Sequence, residues 1–360
     1  MSFINEKVKE IEKIIESVKF KTIYEYFEKY KIGIYDDRNL YFSDETVKFS
    51  KEVRDNIKSF SNRVILNLDS LTSDDRINAG LFIKNMLIKS FYIHHDKRIP
   101  QELISVRYPR IFLNYDYMHY ERKLIVKAVN AKDNYLRLNY FRMFLNVRDL
   151  RRQMIGNEYS MQEYNLETID GLSNFLMYKV LEQLDKNVAK SYFKDTFKRF
   201  TSSFGQSFDF YNVNSDIGFF MSTILDDLGF DVRLLYESNE TLYQLATSKI
   251  KFIREPISYR SDRTLISNLN KYEESIAEKF TNFFENNPKR VQGAFQIFAY
   301  DPKRIFVDKD NLYHESFIIL KNLFNNELIT LNGPVITKVL DNSIDIVTSY
   351  HFFEYKKKRG

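Results

Sequence analysis

The sequence predicts a mainly α fold with a small β component. Three observations carry that expectation. Glycine and proline are scarce, 10 and 6 of 360 residues, which argues against a turn-rich all-β chain. Apolar residues recur at helical spacing through most of the first 290 positions. From 291 onward the pattern changes to alternation in β-branched and aromatic residues.

Taken in order, Ile4, Val8, Ile11, Ile14, Ile15 and Val18, followed by Ile23, Tyr24 and Phe27, read as two short helices. KIGIYDDRNLYFSDE (31–45) alternates around Asp36 and Asp37, as a small hairpin would. Ser43, Asp44 and Glu45 read as the start of a helix running to about residue 60. SDDRINAGLFIKNMLIKSFYIHH (73–95) is a strong helix lined by Ile77, Leu81, Met86, Leu87, Ile88 and Phe91, and Arg98-Ile99-Pro100 ends it. Residues 115–155 read as a long helical pair, 158–186 and 188–201 as further helices, and 215–230 as one closed by Gly229. Residues 239–290 read as helical with breaks at Pro256 and Pro288. GAFQIFAYD, HESFIILKN, ELITLNG and SIDIVTSYHFFEY are strands. The expected organisation is an N-terminal helical segment with a hairpin (1–60), a helical body (61–290) and a β-rich segment packed on it (291–360).

Composition excludes several functions. With no cysteine there is no disulfide framework, thiolate metal site or cysteine nucleophile. The charge is mild, 54 basic against 49 acidic residues. The one dense basic run, KKKRG (356–360), reads as a solvated tail, so no nucleic-acid partner is expected. No stretch approaches the ~18 uninterrupted apolar residues of a membrane helix. MSFINEKVKEIEKII has charges throughout, unlike a signal peptide, and a cytoplasmic location is expected. Arg, Tyr and Phe interleave through 107–122 and 135–152, as in interhelical packing with snorkelling arginines. TSSFGQSF, with Ser202, Ser203 and Gly205, lacks the Gly-x-Ser-x-Gly elbow of a serine hydrolase.

One stretch raises a sharper question. ETIDGLSNFLMYKVL (167–181) carries a glycine inside an apolar stripe, although glycine weakens a helix by roughly 1 kcal/mol against alanine. Something is expected to approach the backbone closely at Gly171. The order of KNMLI (84–88), DKRIP (96–100), FLNVRDLRRQMIG (144–156), ETIDGLSNFL (167–176), SDIGFF (215–220) and ETLYQLA (240–246) resembles an uncharacterised bacterial family of gluzincin-like zinc metallopeptidases over about half the chain. The resemblance implies a gluzincin-like helical body and also shows what has degenerated. Lys84 stands at the first His of the His-Glu-x-x-His helix, Asn85 at the general-base Glu, and Ile88 at the second His. Asp170 stands at the Glu ligand and Ser215 at the oxyanion-stabilising Tyr.

A catalytic zinc needs three protein ligands and one open position for water. Lysine is protonated near neutral pH and repels the ion, isoleucine has no lone pair, and asparagine cannot take a proton from water. The implied protein is a catalytically inactive pseudopeptidase. It would bind a peptide, or act as the non-catalytic partner of an active paralogous peptidase in peptide maturation, as a hetero- or homo-oligomer and with no cofactor. Lys84 and Asp170 are expected to pair across the former metal site. Read without the resemblance, IKNMLIKSF is an ordinary amphipathic helix, and Glu167 and Asp170 are acids suited to a helix start. The alternative is an active zinc peptide hydrolase with a rearranged site drawn from His94, His95, His119 and Glu121, with Asp96 beside them. A helical binding module unrelated to peptidases is a third reading.

Overall fold

The computed structural model describes residues 2–25, 27–36, 38–48, 62–94, 108–202, 208–301, 304–340, 343 and 345–353. Helix α1 (Phe3–Ser17) starts at a capping box in which Ser2 and Asn5 satisfy each other's backbone donors. Strands β1 (Lys31–Tyr35) and β2 (Asn39–Tyr41) form the expected hairpin around Asp36. Strand β3 (Thr46–Lys48) pairs with β2, and β4 (Arg63–Asn67) runs parallel to β1. The order β3-β2-β1-β4 makes a mixed four-stranded sheet.

The helical body follows as α2 (Asp75–His94), α3 (Phe112–Val129), α4 (Asn134–Ile155) and α5 (Asn157–Leu166). A π-helical stretch, Glu167–Gly171, leads directly into α6 (Leu172–Leu184). Then come α7 (Lys186–Thr201), α8 (Phe210–Asp227) and the short α9 (Leu242–Lys249). One core runs from Val8 of α1 through these helices to Ile250.

After an extended stretch, α10 (Arg263–Glu285) meets a second sheet. Its strands are β5 (Lys289–Tyr300), β6 (Ile305–Asp308), β7 (Asn311–His314), β8 (Phe317–Asn322), β9 (Leu328–Asn332), β10 (Val335–Val339) and β11 (Ile346–Phe352). They run antiparallel in the order β6-β7-β10-β11-β5-β8-β9. One face closes over its own apolar cluster around Phe295, Ile318, Leu320 and Val347. The amphipathic face of α10 supplies Ile276, Phe280 and Phe283 to the other, against Ile336 and Tyr313.

The chain is therefore a mixed α/β protein, and the expectation of a mainly α fold with small β content is corrected. Eleven strands in two sheets stand among the described residues. The 291–360 tail reads as strands and becomes seven of them. Around the N-terminal hairpin the local signal misleads. Thr46–Lys48 is a strand although Ser43-Asp44-Glu45 looks like a helix start. Asn5 of α1 holds this turn by donating to the carbonyls of Phe42 and Glu45, at 2.6 and 3.0 Å. Such a contact, 37 residues away along the chain, overrides a capping signal. RVILN, too short to show a period, is β4. The helix expected over 23–27 is only a 3₁₀ turn at Phe20–Thr22, with Phe20 stacked on Phe27 at 4.0 Å. The expected helix from 49 to 60 and the helix stop at 98–100 lie outside the described residues. Among the described residues, no helix is long and apolar enough to cross a membrane.

Candidate functional site

Helix α2 sets Lys84 and Ile88 on one face, as i and i+4 spacing requires, with Asn85 turned about a quarter of the way round from them. Lys84 reaches the π-helical stretch. Its Nζ lies 3.1 Å from Asp170 Oδ1 and 3.3 Å from Oδ2, and both side chains are largely buried. Asp170 also accepts from the Ser215 hydroxyl of α8, from Tyr211 Oη at 3.3 Å and from Asn174 Nδ2 at 3.4 Å. Asn174 in turn donates to Ser215 at 2.7 Å. Three positions singled out in sequence (Lys84, Asp170 and Ser215) thus meet at one carboxylate. Two others stay at its margin: Asn85 returns its amide to the Leu81 carbonyl at 2.8 Å, and Ile88 packs on the core.

The glycine in ETIDG has a partner that the sequence did not name. A Cβ on Gly171 would stand 2.5 Å from the Gly218 Cα of α8, and one on Gly218 would stand 2.1 Å from the Glu167 carbonyl oxygen. The two backbones cross in contact, and only paired glycines allow it. This crossing brings Ser215, one turn before Gly218, onto Asp170. Tyr211, Asn174 and Gly218 were all missed in sequence. The only available signal was the second glycine in an apolar helix, SDIGFF.

Next to this centre lies a larger ionic one, fully buried. Arg148 donates through Nε to Glu121 at 2.9 Å and through Nη1 to Glu167 at 2.6 Å. Arg151 donates to Glu121 Oε1 at 2.8 Å and through Nη2 to Glu163 at 2.6 Å. Its Nη1 also meets Tyr108 Oη at 2.8 Å and Asn114 at 3.1 Å. The expectation of snorkelling arginines is corrected here, since both guanidinium groups sit at the centre of the body. Burial opposes ionisation of Glu121, but Arg148 and Arg151 outweigh it and hold the carboxyl below its usual range. Glu167 has only one of these arginines. Burial pushes it up to about 7, against the pull of Arg148 and with the help of nearby Glu163. With Glu167 neutral, two arginines face two carboxylates.

This gives a pH dependence with a definite sign. Glu167 titrates above its ordinary 4.5 in the folded chain, so its contribution to stability is full below that value. It is lost as the pH rises through about 7. Glu167→Gln is expected to remove a fall in unfolding free energy of up to about 3 kcal/mol between about pH 5 and about pH 8. Denaturant unfolding at both values checks it, and a variant that keeps the parental slope would refute it.

The alternative metal set does not assemble among the described residues. His94 is half exposed and pairs with Glu28 at 3.2 Å. His119 lies 3.3 Å from Asp262, with burial and the nearby Lys123 and Arg122 holding its pKa down. Glu121 is enclosed by the two arginines. His95 and Asp96 lie outside the described residues, as do Ser203, Gly205 and the basic run 356–360; Ser202 follows α7 and accepts from Arg122 at 3.0 Å. Among the described residues no group of three His, Cys, Asp or Glu stands close enough to hold a metal ion. Zinc, which the resemblance implies, does not fit the donors at Asp170, where an ammonium takes the place of a ligand. Searches against models of protein families, curated proteins and solved structures find no match.

Proposed function

We propose that this chain is a non-hydrolytic protein, a pseudopeptidase whose work is binding, as the non-catalytic partner of an active peptidase. One observation carries the reading. The two helical stretches that would bring ligands to a zinc ion are joined by Lys84 and Asp170 at 3.1 Å. A fixed positive charge there occupies the position a divalent cation would need. The Asp170 carboxylate is 3% exposed, which leaves no open coordination position and no face for a peptide. Binding is therefore assigned to the outer surface rather than to the former metal centre.

The test is metal content and turnover. Protein purified without chelator is expected to carry less than about 0.1 Zn²⁺ per chain and to leave peptides uncleaved. About one Zn²⁺ per chain retained through dialysis, or turnover that survives Asn85→Ala, would overturn the reading. The combined variant Lys84→His, Asn85→Glu, Ile88→His and Asp170→Glu is expected to gain zinc but to hydrolyse poorly. Ser215 stands where the resemblance places the oxyanion tyrosine, and loss of one such donor costs roughly 10²–10³ in rate.

The pair itself gives a further expectation. Lys84→Met or Asp170→Ala strands a buried partner and should each cost about 3–5 kcal/mol, whereas the double variant should cost distinctly less than the sum. Additive losses in the double-mutant cycle would show that the two groups are not coupled.

A further inference from the structure

Residues 251–262, KFIREPISYRSD, connect the helical body to α10. Among the described residues they form no helix, no strand and no backbone-to-backbone hydrogen bond before Asp262. They nevertheless hold one extended course over α3 and α4, and side chains of those helices read that course point by point. Asn146 of α4 grips the backbone of Glu255 at both ends of its amide, Nδ2 to the carbonyl at 2.9 Å and Oδ1 from the N–H at 3.2 Å. Asp149, 2% exposed, takes Arg254 Nε at 2.8 Å. Asp116 of α3, 1% exposed, accepts from the hydroxyls of Tyr259 and Ser261. The Tyr259 ring stacks on Tyr120 at 4.4 Å and 9°. Asp116 Oδ1 and His119 Nδ1 are buried on this face without a hydrogen-bond partner.

A side-chain amide that pairs with both backbone groups of one extended residue recognises any extended chain, whatever its sequence. Buried acids at fixed distances then select what that chain carries. We propose that the α3–α4 face is a binding site for an extended peptide segment bearing an arginine and, five residues on, a tyrosine, and that residues 251–262 occupy it as a built-in competitor. Two features favour displacement: no backbone ladder fixes the strap, and Arg254 and Ile253 are 66% and 74% exposed. Against it stand Phe252 and Ile257, which pack on the core of the body, and the Tyr259 stack. The site lies apart from Lys84 and Asp170 and does not depend on the reading of that centre.

The experiment uses the full chain and a fluorescently labelled peptide KFIREPISYRSD, with binding followed by anisotropy. The attached strap competes at an effective concentration on the order of mM, so the wild type should bind the peptide weakly. Arg254→Ala with Tyr259→Ala loosens the strap, and this variant should bind about tenfold more tightly or better. Arg254→Ala alone gives a milder second background in which the gain should be smaller but present. Adding Asn146→Ala, or replacing the arginine and tyrosine of the peptide by alanine, should abolish the gain. Equal binding to wild type and loosened variants, no saturable binding to either variant, or a gain untouched by Asn146→Ala would overturn the proposal. So would dimerisation of the variants by exchange of straps, seen in sedimentation, without peptide binding.

Discussion

Arg151→Met is expected to destabilise the protein by about 3–5 kcal/mol, among the largest effects of any single substitution in this chain. Arg151 is fully buried, and its guanidinium is shared by Glu121 and Glu163. It also meets Tyr108 and Asn114. Methionine fills similar space but leaves Glu163 with no guanidinium partner and Glu121 with Arg148 alone. A buried carboxylate without a counter-charge costs far more than the ion pair itself contributes. Arg151→Lys should also be costly, because one ammonium cannot replace a planar fork that serves two carboxylates. Urea unfolding measures both. A loss below about 1 kcal/mol for Arg151→Met would mean that water or rearrangement satisfies the acids in its place.

Gly218→Ala is expected to be at least as damaging, at about 3 kcal/mol or more, with Gly171→Ala close behind. In both cases the new methyl would meet backbone, at 2.1 Å from the Glu167 carbonyl oxygen and 2.5 Å from the Gly218 Cα. Backbone cannot swing aside as a side-chain tip can, so α8 must move off the π-helical stretch. That movement would also pull Ser215 from Asp170, so loss of stability and loss of the polar centre should appear together. Gly80→Ala is the control within the same body. Its methyl would stand 3.1 Å from the flexible Met177 side chain, and alanine favours the helix, so a change within about 1 kcal/mol is expected. Thermal melts of the three variants check the ranking. Equal effects at Gly80 and Gly218 would show that the crossing is not as tight as its geometry.

The legibility of the fold followed the length and period of each signal. Long helices such as Asp75–His94 and Asn134–Ile155 were readable from apolar spacing, as was the switch to alternation near residue 291. Short elements were not. Thr46–Lys48 carries a helix-start signal and is a strand, because Asn5 and the β2 pairing hold it from a distance. The stretch 250–262 has apolar residues consistent with a helix, but Pro256 removes a donor. Asn146, Asp149 and Asp116 then hold the chain extended.

At the candidate site, the sequence by itself determined the chemistry of the groups. It put a cation, an amide and an alkyl chain where the resemblance would place two metal ligands and a base. It marked Gly171 as a point of close approach, and the resemblance led to the expected pairing of Lys84 with Asp170. Only the tertiary structure decided what meets them. Gly218 is the partner of Gly171, Tyr211 and Asn174 complete the shell of Asp170, and Glu121 faces two arginines instead of a metal. The reason is physical. A residue's type fixes its charge and hydrogen-bonding capacity locally, whereas its partner and its pKa depend on groups brought near by helix crossings between segments tens of residues apart. Glu167 is the clearest case. In sequence it is one acid in a helix, and in the fold it becomes the third carboxyl group beside two arginines, the one that burial holds toward its neutral form.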